Sequence, residues 1–97
     1  MNLTKNIITR SEAVKIAPDY VKAMEGNSEA LCEKVFPVFD KIKRGQKALT
    51  CLNRVYVMVK VTKVDLNDIR AVDGPVVRVS NGEYSWRVDG NDWAWPV

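Results

Sequence analysis

The chain contains no histidine, two cysteines, five glycines and four prolines in 97 residues. The missing histidine removes Ser-His and Cys-His nucleophile pairs and most zinc sites. Cys32 and Cys51 allow one disulfide at most and cannot supply a four-ligand zinc site. They are expected to stay reduced and to behave as small apolar side chains. No apolar run approaches the roughly 20 residues that span a bilayer. The first ten residues hold no apolar stretch of signal-peptide length. The chain therefore reads as soluble and cytoplasmic, with no membrane partner. It contains no glycine-rich phosphate loop, nucleophile elbow or Cys-x-x-Cys.

A length of 97 residues fits one domain, 1–97, with a modest core. The composition changes near residue 47. Residues 51–97 hold eleven of the fifteen valines and five of the eight aromatics, whereas Ala13, Ala17, Ala23 and Ala30 lie in the first part. Valine favours strands and alanine favours helices. Residues 1–46 are therefore expected to be mainly helical and 47–97 mainly β.

Thr9 and Glu12 have capping-box spacing. Apolar residues follow at 13, 17, 20, 21 and 24, one helical face. Pro18 falls inside this pattern, so the helix is kinked or divided, with Pro18 opening the second piece. Gly26-Asn27 supplies a stop and Ser28-Glu29 a new start. The next apolar face is 31, 35, 38, 39 and 42, interrupted at Pro37, with Gly45 as its stop. Strands are expected at 47–52, 55–64, 69–72, 76–80, 83–88 and 93–97. Val55, Val57, Val59 and Val61 share one strand face, and Tyr56, Met58 and Lys60 the other. Asn81-Gly82 suits a two-residue type I′ turn. That turn would set Ser80 opposite Glu83 and Val79 opposite Tyr84, with Val77, Val79, Tyr84, Trp86 and Val88 on the apolar face. The expected fold is α+β: a Pro-interrupted helical pair, then a small antiparallel sheet curled into an SH3-like or OB-like barrel.

The net charge is +3, with nine basic and six acidic residues in 1–50 and six of each in 51–97. Lys41, Lys43, Arg44 and Lys47 form the densest basic cluster. Such a group binds phosphates, but a predicted helix end before Gly45 is the commoner reason for cations there. Trp93 and Trp95 near the C-terminus are either a closing strand or an aromatic anchor for a protein partner. Tyr56 is a third candidate for that contact, unless the helices cover it together with Met58. Trp86 lies on the apolar hairpin face and reads as core. The carboxylate pairs Asp65/Asp68 and Asp89/Asp92 fall in turn sequences where Asp bonds its own backbone, so no metal site and no cofactor are expected.

No catalytic pair stands out, so an enzyme is not expected. Two function classes remain. One is a protein-binding module of adaptor or inhibitor type, acting through Trp93, Trp95 and Tyr56. The other is nucleic-acid binding by the small barrel through Lys41, Lys43, Arg44, Lys47 and Arg54 with Tyr56 as an exposed aromatic, and with Lys60, Arg78 and Arg87 as further cations. A homodimer through an edge strand is compatible with either.

Overall fold

The computed structural model describes residues 5–65, 75–88 and 93–97. Thr9 caps the first helix, α1 (Arg10–Ile16). Its hydroxyl accepts from the Glu12 amide, and the Glu12 carboxylate reaches back to the Thr9 amide, completing the box expected from the sequence. Ala17 ends α1, and Pro18 opens α2 (Pro18–Met24) as its first residue. Proline at that position costs nothing, because the amide it lacks would be unbonded anyway. Asn27 caps α3 (Ser28–Ala30) by accepting from the Ala30 amide.

The helix then widens. Leu31–Val35 is a π turn closed by the Phe36 amide on the Leu31 carbonyl, and α4 (Phe36–Phe39) follows. Pro37 explains the widening: its ring would collide with the carbonyl four residues back, and one wider turn relieves this. The helix ends at Phe39, well before Gly45. Lys41 and Ile42 fold back on the last turn through bonds to the Val38 and Phe39 carbonyls, and Ile42 is buried. Lys41, Lys43 and Arg44 therefore do not occupy a helical last turn, and the helix-end account of this cluster is withdrawn. Gly45 serves the following turn instead, with φ +89° and its amide on the Val61 carbonyl.

The strands are β1 (Ile7–Ile8), β2 (Lys47–Leu52), β3 (Val55–Asp65), β4 (Val76–Ser80), β5 (Ser85–Val88) and β6 (Ala94–Pro96). They form one antiparallel sheet in the order β5-β4-β3-β2-β6, with β1 also on β3. The fold is thus α+β. The order is open: among the described residues β5 and β6 do not pair, so closure into an SH3-like or OB-like barrel is not seen. The expected strand 69–72 and the turns at 66–74 and 89–92 lie outside the described residues.

A two-residue left-handed turn does occur, but at Asn53-Arg54. Leu52 pairs with Val55, and the connecting residues have φ +50° and +68°. At Asn81-Gly82 the register differs from expectation. Ser80 pairs with Ser85 and Val79 with Trp86, leaving a four-residue loop. The slip is two residues, so the faces survive: Val77, Val79, Trp86 and Val88 are all buried. Tyr84, expected on that face, is instead in the loop and exposed.

Asn81 is the physical reason. It is 1% exposed. Its Oδ1 accepts from the Glu83 and Tyr84 amides, its own amide donates to the Tyr84 carbonyl, and its Nδ2 donates to the Lys5 carbonyl. Asn6 Nδ2 donates in return to the Asn81 carbonyl. A tight type I′ turn would need positive φ at Asn81, whereas only Gly82 adopts it.

The valine side of the sheet is the core side: Val57, Val61, Val77, Val79 and Val88 are fully buried. A bulge at Thr62 keeps it so. Val61 pairs with Val79, yet Lys63 pairs with Arg78 and Val64 with Val77. Without the extra residue Lys63 would face the core. Among the described residues the opposite side is covered near Leu49 and Tyr56, where the Tyr20 ring of α2 packs 6.5 Å from Tyr56 and 6.4 Å from Trp95. The helices thus cover Tyr56, which removes it as a displayed contact residue, while Met58 stays half-buried.

Candidate functional site

Away from the Tyr56 corner, the described residues of the sheet face opposite the valines are mostly basic. Cross-strand partners share a face, and on this face Lys47 sits opposite Lys60, Lys63 opposite Arg78, and Arg78 opposite Arg87. Ser80 and Ser85 complete the surface between them. The expected register would have set Glu83 among these cations; the observed one moves it into the loop.

One end of the face is concave. A cleft of about 450 Å³ is lined by Lys5, Lys47 and Lys60 around Met58, with Ser80 and Gly82 on its rim. The Asn6–Asn81 pairing positions the Lys5 backbone here. Gly82 belongs at this point because its φ is +90°, a conformation that side chains rarely adopt. Among the described residues, no carboxylate pairs with Lys5, Lys47 or Lys60.

The basic turn joins the same end. The Gly45 amide donates to the Val61 carbonyl and the Val61 amide to the Gln46 carbonyl. This docks the segment carrying Lys43 and Arg44 beside Lys60, and Lys41, Lys43 and Arg44 are all exposed. Arg54 is separated from this group. It sits beyond the far end of β2, about 20 Å away at strand spacing. The structure therefore gathers four of the five expected nucleic-acid residues near one end of the sheet and leaves out the fifth. It adds Lys5 and Lys63 to them and to Lys60, Arg78 and Arg87. Lys60, Arg78 and Arg87 were readable from strand alternation, whereas Lys5 depends on the asparagine latch, a tertiary contact with no local signal.

The aromatic candidates lie elsewhere. Trp93 is 4% exposed, with its ring 4.4 Å from Phe36 and 5.4 Å from Phe39. Its carbonyl accepts from the buried Tyr20 hydroxyl at 2.9 Å. These contacts hold it at φ +42°, unfavourable for a bulky residue. Trp93 is thus core rather than a displayed anchor. Tyr56 is also buried, and burial pushes its phenol above the ordinary value, with Cys51 and Glu25 adding to the rise. Trp95 is half-buried beside Leu49. Neither cysteine is in a disulfide; Cys51 is half-buried, but Cys32 is exposed rather than packed as an apolar residue. Among the described residues no cluster suited to a metal ion occurs, and no helix is long and apolar enough to cross a membrane.

Comparison of the chain with models of known families, with curated proteins and with solved structures gives no match. The site is therefore read from its own chemistry.

Proposed function

We propose that the protein is a non-enzymatic nucleic-acid-binding module that takes the phosphate backbone on the basic face of its sheet. The observation that carries this reading is the run of like-charged neighbours: Lys47 opposite Lys60, Lys63 opposite Arg78 and Arg78 opposite Arg87, with Asp65 at the end of β3 as the acid that shares their face. Directly opposed like charges weaken a sheet by a few tenths of a kcal/mol each. A surface shaped by stability alone would set opposite signs at facing positions, whereas a polyanion compensates the repulsion on binding. Among the described residues the strands of this face present no exposed aromatic for base stacking: Tyr56 is buried, and the exposed Tyr84 belongs to the β4–β5 loop. Recognition therefore rests on phosphate contacts and is tolerant of sequence. The adaptor or inhibitor reading retains only Trp95 among its tryptophans as an accessible residue.

The test is fluorescence anisotropy of a labelled short duplex across a salt series. If four or five phosphates are neutralised, log K falls against log salt with a slope of about −4. Lys60→Glu should weaken binding by about tenfold or more at low salt. The same change puts Glu opposite Lys47, so the melting temperature should hold or rise slightly. A flat salt response, or undiminished binding by folded Lys60→Glu, would refute the proposal. Retention of an acidic protein with no retention of duplex would select the protein-binding class instead.

A further inference from the structure

At the other end of the sheet lies a separate groove of about 780 Å³, between the C-terminus of α2, the start of α1 and the β2–β3 turn. Its wall is apolar: Ile8, Met24, Val55 and the Tyr56 ring. Its polar groups are few and defined. Arg10 and Glu25 neutralise each other through two hydrogen bonds of 2.9 and 2.6 Å. This pairing holds the Glu25 carboxyl below its ordinary range, so it stays ionised and committed to Arg10. Two groups remain. Tyr56 is 6% exposed and lines the groove, close enough to Cys51, Glu25 and Arg10 to feel their charges, and among the described residues its hydroxyl makes no hydrogen bond. Arg54 is exposed, and among the described residues no carboxylate pairs with it.

The placement of Arg54 is costly. It is the second residue of a two-residue turn at φ +68°, the position where glycine is strongly preferred. Arginine there sacrifices stability and sets a cation on the groove's rim. A phenol hydroxyl that opens on the groove, a cation placed there at the expense of backbone strain and an apolar wall together fit one ligand chemistry. We propose that this groove binds a small amphipathic carboxylate, an organic acid whose apolar body lies on Ile8, Met24 and Val55. Its carboxylate pairs with Arg54 and accepts a hydrogen bond from the Tyr56 hydroxyl. The charge balance agrees, because the groove carries one cation beyond its internal ion pair. This site is distinct from the basic face and stands or falls separately from it.

The test uses naphthalene-2-acetate and its neutral amide, naphthalene-2-acetamide, in an amide chemical-shift titration. The acid should shift the Ile8, Gly26, Val55 and Tyr56 amides saturably, and bind about tenfold tighter than the amide, the worth of one charge-assisted contact. Arg54→Gln should erase that preference while apolar binding persists. Tyr56→Phe should weaken the acid more than the amide. Arg54→Gly should raise the melting temperature, through relief of the turn, while losing the preference; a purely structural arginine would show neither pattern. Equal affinity for acid and amide, shifts mapping away from the groove, or a preference that survives Arg54→Gln would each overturn the proposal.

Discussion

Asn81 shows how much one side chain determines here. Its side chain accepts two amides and donates to a carbonyl 76 residues earlier in the chain. Alanine would leave these groups in a site 1% exposed. An unsatisfied buried group costs about 1–3 kcal/mol, and solvent entry after truncation offsets part of it. Asn81→Ala should therefore cost about 3 kcal/mol in all. Urea denaturation should show a lower midpoint with an unchanged slope, since the core is untouched. The turn itself was readable from Asn-Gly; its register was not. Type I′ preference is a local property, and it lost to the bonds Asn81 makes with Lys5 and Asn6. Conversely, Asn53-Arg54 adopts the two-residue turn without the glycine that signals it. There the flanking strands Lys47–Leu52 and Val55–Asp65 hold the turn, through six residue pairs along their length.

Among the elements, helices were the more readable because their punctuation is local. Thr9, Pro18 and Asn27 act within one turn of themselves, and each does in the structure what its chemistry dictates. The end at Phe39 was hidden because it reflects the burial of Ile42, a tertiary demand. The open sheet was hidden for a similar reason, since closure depends on strand stagger rather than alternation. What joins helices to sheet is one aromatic corner: Tyr20 on Tyr56 and Trp95, Phe36 and Phe39 on Trp93, and the Tyr20 hydroxyl on the Trp93 carbonyl. Tyr20→Phe keeps the packing and deletes that bond, so a loss of about 1–2 kcal/mol is expected. Trp93→Ala removes the ring against which both phenylalanines pack and should cost about 3–5 kcal/mol. Thermal melts order the two variants. If Trp93→Ala melts with the wild type, the ring is not part of the core and the anchor reading returns.

At the scale of the molecule, charge is sorted by layer rather than by sequence half. Residues 10–40, the helical stretch, carry six acidic and four basic side chains. Residues 41–65 and 75–88 carry nine basic and two acidic. The excess that the sequence assigns to the first half therefore belongs to the strands and to the turn that leads into them. A net charge of +3 understates the charge on these strands, because it also counts the acidic helical stretch and the four aspartates of residues 66–74 and 89–92. Such asymmetry orients an approaching polyanion before contact, and salt screens the effect within about 8–10 Å. This separates local recognition from bulk attraction. Glu29 and Glu33 are both exposed on the helical layer. Glu29→Lys with Glu33→Lys raises the net charge more than Lys60→Glu lowers it, yet leaves the basic face intact. Phosphate contacts made on the sheet predict an unchanged salt slope for this double variant, with a modest gain in affinity confined to low salt. Attraction governed by net charge predicts a steeper slope instead. Anisotropy titrations of the wild type, the double variant and Lys60→Glu against one duplex decide between them: a slope that follows net charge across the three would remove the sheet as the site, and a slope that falls only with Lys60→Glu would fix it there.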